Sequence, residues 1–188
     1  MGETVLKRAQ YADLCALAPN LVGEIIDGVL YAQPRPAARH AVANIVLAGE
    51  LGSAFGRGRG GPGGWVILFE PELHLGAEPD ILVPDLAGWR RERMPVVPDA
   101  AFFTLPPDWV CEVLSPSTHR LDRSKKLPVY QRERVGHVWL VDPVARTLEI
   151  FRLDGDSYRF IAIYADDATC RAEPFDAIEL ELGALWRM

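Results

Sequence analysis

The sequence predicts an α+β (α/β) domain with a mixed central β-sheet flanked by helices. Three observations carry that prediction. Segments of helical and strand period follow one another in the order helix, strands, helix, strands, helix, strands. The run Trp109–Leu114 is apolar at every position but one, as suits a central strand covered on both faces. A chain of 188 residues, 49% hydrophobic, is long enough for one buried core and short for two. Residues 1–188 are therefore read as a single domain, with a core over about 20–155 and a strand-rich C-terminal extension.

The elements follow in order. Within residues 8–18, Tyr11, Leu14, Leu17 and Ala18 lie at helical spacing, and Pro19-Asn20 stops the helix. Leu21–Ile26 and Val29–Gln33 flank Asp27-Gly28, the dipeptide favoured in two-residue hairpin turns. From Pro36 to Phe55, Ala41, Ile45, Ala48 and Phe55 mark an amphipathic helix on which His40 and Asn44 share a face. The glycine-rich stretch Arg57–Gly64 lacks the Gly-Lys-Ser/Thr ending of a phosphate loop and precedes a strand. It reads as a flexible turn, with Arg57 and Arg59 available to a phosphate backbone.

Trp65–Leu75 reads as one long strand and Ile81–Trp89 as its partner, distorted near Asp85 by the preceding Pro84. Arg90–Pro107, rich in proline, is a surface loop beside a cleft. Ser115–Thr118 leaves the central strand and caps a helix; Pro128 implies a kinked start over Asp122–Lys126, then helix to about Arg134. Strands follow at His137–Asp142, Leu148–Leu153 and Tyr158–Tyr164, with strand-like fragments around Phe175–Leu182.

Asp85 and Glu112 are each an acid inside a β-like run of Leu, Val, Ile or Trp, where a carboxylate is disfavoured unless something pairs with it. Two carboxylates on neighbouring strands can hold Mg²⁺ (or Mn²⁺), and a lysine at the same spot can stabilise a phosphate under attack. Of the adjacent pair, Lys126 rather than Lys125 shares the i, i+4, i+8 face of Asp122 and Tyr130.

The ordered set Glu24-Ile-Ile-Asp27-Gly28, His40, Val83-Pro84-Asp85-Leu86, Cys111-Glu112-Val113-Leu114-Ser115-Pro116-Ser117-Thr118, Asp122–Tyr130 and Gly136–Pro143 resembles the Uma2 (DUF820) family of endonucleases. That family belongs to the PD-(D/E)XK nuclease superfamily. The resemblance spans roughly residues 20–155. It implies a restriction-endonuclease-like fold and an Mg²⁺-dependent endonuclease. Asp85 and Glu112 would bind metal, Lys126 would act on the phosphate, Glu24 would assist at the metal, and His40 would face the substrate or a metal-bound water. One position departs from the superfamily pattern: the lysine expected two residues after the second acid is Leu114, and the resemblance places its substitute at Lys126. Glu24 reads equally as a strand-edge glutamate, whereas a lone helix histidine such as His40 is more often a structural hydrogen-bonder.

The net charge of −6 hides a strong asymmetry. Between Ser117 and Arg134 six basic residues face two acids, whereas beyond residue 165 six acids face two arginines. Arg120, Arg123 and Lys125 are the expected contacts to nucleic acid, DNA by preference. On charge alone the same stretch is equally a solvated helix face. Two rivals to the enzyme stay open: a catalytically silent nucleic-acid-binding homologue, and a protein-interaction module whose acids and lysine form only an ion-pair network. Cys15, Cys111 and Cys170 lack metal or redox spacing and read as free thiols in a reducing cytoplasm. The first residues lack an apolar signal core and no run is long enough to span a membrane, so a soluble, unexported protein is expected. A cutter of both strands needs two sites, which suggests a homodimer.

Overall fold

A computed structural model of the chain describes residues 8–34 and 37–187. The reading of the first residues as free of a signal core, and the start of the second helix at Pro36, lie outside them. The elements are α1 (Tyr11–Cys15), β1 (Leu21–Ile26), β2 (Val29–Pro34), α2 (Ala38–Leu51), β3 (Trp65–Phe69), β4 (Leu73–Leu75), β5 (Asp80–Leu82) and β6 (Leu86–Arg90). Then come β7 (Trp109–Val113), α3 (His119–Leu121), α4 (Leu127–Arg132), β8 (His137–Asp142), β9 (Thr147–Asp154), β10 (Ser157–Ala165), β11 (Thr169–Cys170), β12 (Leu180–Glu181) and α5 (Gly183–Trp186). Wide i→i+5 turns extend α2 over Gly52–Gly56 and join α3 to α4 over Asp122–Lys126.

Six strands form the main sheet in the order β10-β9-β8-β7-β6-β3. Only β7 and β8 run parallel, and the α3–α4 segment makes the crossover between them. A second sheet, β2-β1-β5-β4, stands beside the first. The β1–β2 hairpin turns as expected: Ile26 pairs with Val29, and Asp27 and Gly28 both take positive φ, 53° and 76°.

The two long strands expected over Trp65–Leu75 and Ile81–Trp89 are each broken in two. β3 and β6 pair in the main sheet, whereas β4 and β5 pair in the second. The interruption falls at Glu70-Pro71 on one side and Val83-Pro84-Asp85 on the other, where proline supplies no ladder N–H and Glu70 adopts φ 44°. The Glu70 N–H donates to the Asp85 carbonyl at 3.0 Å, so the two breaks form one bent corner. Asp85 therefore lies in the bend between strands rather than on one.

Alternation along β7 and β8 sends side chains to two hydrophobic clusters. Trp109, Cys111, Val113, Trp139 and Val141 join α2 and the C-terminal segment. There Phe175 meets Trp65, Trp109 and Trp139 ring against ring at centroid distances of 4.8, 4.9 and 5.6 Å. Val110, Val138 and Leu140 face the other way, onto Val129 and Tyr130 of α4 and Leu73 and Leu82 of the second sheet. Glu112, between Cys111 and Val113, shares that second side. Phe175 thus serves as a core anchor rather than a strand residue; strand pairing in the tail is confined to Thr169–Cys170 with Leu180–Glu181.

Candidate active site

Glu112 is 2% exposed on a strand with neighbours on both sides, so its carboxylate depends on partners the protein supplies. Its partners come from the crossover. Lys126 Nζ lies 2.8 Å from Glu112 Oε1, 2.9 Å from Glu24 Oε1 and 3.6 Å from Asp122 Oδ1. The Tyr130 hydroxyl also donates to Glu112 Oε1. Asp122, Lys126 and Tyr130, at i, i+4 and i+8, meet the strand together because the wide turn keeps the segment helical ahead of Pro128: the Leu127 N–H reaches back to the Asp122 carbonyl.

Asp85 is fixed from two layers. Its Oδ2 accepts the Val113 N–H at 2.7 Å, the residue after Glu112, and its Oδ1 faces Asn44 Nδ2 at 3.1 Å and His40 Nε2 at 3.0 Å. Glu24, on the β1 edge facing β5, accepts the Val83 N–H at 2.8 Å, which ties the second sheet to the corner carrying Asp85. Glu24, His40, Asp85, Glu112, Asp122 and Lys126 line one pocket of about 70 Å³, room for several waters.

Five acidic side chains, Glu24, Glu70, Asp85, Glu112 and Asp122, line the pocket with one ammonium, Lys126, and the titration behaviour follows. Burial pushes the Glu112 carboxyl well above the usual range, and Asp122, Asp85 and Glu24 add to the rise against the pull of Lys126. Burial alone would lower Lys126, but Glu112, Glu24 and Asp122 outweigh it and hold the ammonium charged well above its ordinary range. Asp122 is raised by burial, opposed by Lys126 and Thr118. Burial, with Asp85 and Glu112 nearby, also pushes the Cys111 thiol well above its usual range.

A surplus of buried carboxylate oxygens is the donor chemistry that suits a hard divalent cation. Among the described residues, no three His, Cys, Asp or Glu side chains are arranged to hold a metal ion. Lys126 stands between Glu24 and Glu112 and supplies the positive charge there.

The family model described as "Putative restriction endonuclease", Uma2, matches residues 8–183. The chain belongs to the Uma2 family. The fold of this Uma2 chain is shared with "a putative nuclease belonging to DUF820 from Anabaena variabilis ATCC 29413". The likeness has a TM-score of 0.71 at 21% identity and covers 88% of this chain and 89% of that one. No curated protein compared with the chain matches it.

Of the residues singled out in the sequence, Glu24, His40, Asp85, Glu112 and Lys126 line one pocket, while Lys125 is exposed. Arg120, Arg123 and Lys125 lie outside it on the exposed side of the crossover. Arg123 is committed there to Glu149 through both guanidinium nitrogens. Arg120 and Lys125 have no side-chain partner among the described residues. Sequence reasoning did not assign Asp122 to the acid cluster, Tyr130 to a hydrogen bond with Glu112, or Asn44 to Asp85. The four-residue spacings Asp122–Lys126–Tyr130 and His40–Asn44 were the available signals.

Among the described residues, no helix is long and apolar enough to cross a membrane.

Proposed function

We propose that this Uma2 protein is an Mg²⁺- or Mn²⁺-dependent endonuclease that hydrolyses phosphodiester bonds in DNA. One observation carries the reading: carboxylates from three separate elements, Glu24, Asp85 and Glu112, converge with a buried lysine in a single pocket. Their burial is costly for stability and needs a chemical reason. Asp85 and Glu112 would hold the cation, with Glu24 beside them. The metal would supply Lewis acidity toward a phosphoryl oxygen and a nucleophilic water near neutral pH.

The protein's own groups supply orientation and charge. Asn44 and His40 fix the Asp85 carboxylate against β7, and Tyr130 fixes Glu112. Lys126, kept charged by its acids, stabilises negative charge developing on the phosphate. The three cysteines are free thiols, which fits a reducing cytoplasm. A homodimer would supply the second site that a double-strand cut requires.

Supercoiled plasmid and single-stranded DNA incubated with Mg²⁺, Mn²⁺ or EDTA test the reading directly. Cleavage that needs the cation and vanishes in Asp85→Asn and Glu112→Gln supports it. Metal-independent cleavage, or none under any condition, removes it. The ion pairs of Lys126, and the lack of a three-ligand cluster among the described residues, favour a second reading, in which the same residues are only a structural network. Calorimetric titration of Mn²⁺ separates the two, because a purely structural network binds none.

A further inference from the structure

A second pocket, of about 350 Å³, is walled by Arg39, Arg146, Arg187, Asp167, Trp186 and Val144 among others. Its size falls within the range of ordinary ligand sites. We propose that it holds a phosphate and the attached nucleoside of the substrate strand, next to the phosphate that is cut. This rests on the nuclease reading and extends it.

The charges point to an anion. Three guanidinium groups face one carboxylate across the pocket, on a protein that carries net charge −6. Arg39 and Arg187 are exposed and make no hydrogen bond or ion pair among the described residues. Arg146 is held differently. Its Nη2 donates to Asp167 Oδ1 at 2.6 Å, while its buried Nε makes no hydrogen bond and pairs with Asp166 Oδ1 at 3.8 Å. Its backbone is fixed as well, with φ 57° in the turn after β8, where the Asp142 carboxylate accepts the Val144 and Ala145 N–H groups. Trp186, anchored through its Nε1–H on the Asp166 carbonyl at 2.7 Å, adds an indole to the wall. Arginines beside an aromatic ring make the surface on which a backbone phosphate and a stacked base bind without regard to sequence.

Continuity with the acidic pocket is built into the fold. Arg39 and His40 are consecutive on α2, one lining each pocket. Parallel β7 and β8 end at the same edge of the sheet, and the residues that follow them line the two sites: Ser115 after β7, Pro143 and Val144 after β8. In this proposal a substrate strand lying along that edge would pass from the acidic pocket to Arg39 and Arg146.

The double variant Arg39→Ala/Arg187→Ala tests this, since neither side chain supports the fold through a described partner. Binding of labelled single-stranded and duplex oligonucleotides is measured by anisotropy in EDTA over a range of salt. A control, Arg134→Ala/Arg159→Ala, removes the same charge from side chains paired to Asp156 and Asp154 near the β9–β10 hairpin. The expected result is about a 10-fold loss of affinity and a salt slope shallower by about 1–2, from two lost phosphate contacts. The control should stay near the parent in both affinity and salt slope. Parental affinity and slope in the test variant, or an equal loss in the control, overturns the second pocket and leaves the nuclease reading intact. Calorimetric binding of inorganic phosphate alone, with oligonucleotide affinity unchanged, assigns the pocket to a free anion and also overturns it. A parent protein that binds no oligonucleotide overturns both readings.

Discussion

The Lys126 ammonium stands 2.8 Å from Glu112 Oε1, and both side chains are 3% exposed. The pair joins the crossover helix to the central strand, so one residue bears on both the fold and the proposed chemistry. Removing Lys126 leaves Glu24, Glu112 and Asp122 without their cation.

Lys126→Ala is therefore expected to destabilise the protein by about 3–5 kcal/mol at neutral pH, the scale for breaking a buried charge pair. Where the variant stays folded, its cleavage rate should fall by ~10²-fold or more, as when one preorganised charge-stabilising donor is lost. Lys125→Ala should alter binding modestly and the single-turnover rate hardly at all. Urea denaturation and single-turnover kinetics at saturating protein report the two effects. The reverse ranking of the lysines would show that the helix register assigned to this segment is wrong.

The pH dependence of stability has a definite sign. Glu112 holds its proton more tightly folded than unfolded, so its contribution is full below the ordinary glutamate value of 4.5 and is lost as pH rises toward its raised folded value. Asp122 acts in the same direction from 3.8 upward. Glu112→Gln removes the larger source, so its stability relative to the parent should improve steadily from pH 4.5 to 8 in EDTA. Denaturation midpoints across that range check it; a difference that is flat or runs the other way refutes the assignment.

Asn44→Ala and His40→Ala loosen the Asp85 carboxylate without removing it. Each should weaken Mn²⁺ binding by about 10-fold, the lower end of what outer-shell partners of metal ligands contribute. Circular dichroism should stay parental while the calorimetric Kd rises. Unchanged affinity in both variants would mean that Asp85 takes no part in binding the metal.

Arg120, Arg123 and Lys125 are not equivalent, because Arg123 is engaged with Glu149 and the other two have no described side-chain partner. Arg120→Ala and Lys125→Ala should each make the log-log salt slope of duplex binding shallower by about 0.9, and Arg123→Ala by clearly less. Equal slopes for all three would show that Glu149 releases Arg123 on binding.

Local chemistry made much of this molecule legible in its sequence. Asp27-Gly28 specified a hairpin through backbone conformations that few other dipeptides accept. An acid inside Trp109–Leu114 marked Glu112, because a buried carboxylate signals a partner before that partner is known. The spacing of Asp122, Lys126 and Tyr130 placed Lys126 on the inward face, since helical periodicity is local. Tertiary structure alone decided how the strands divide. Trp65–Leu75 and Ile81–Trp89 carry continuous strand signal, yet they change sheets at Pro71 and Pro84, and that corner puts Asp85 against Val113. Val113 and Asn44, hydrogen-bonded to Asp85, and Val83, hydrogen-bonded to Glu24, come from positions 28 to 59 residues away in sequence, and Lys126 reaches Glu24 from farther still. No periodicity encodes such distances; they arise when two sheets and α2 close on one another and each buried carboxylate takes the donors that packing brings within reach.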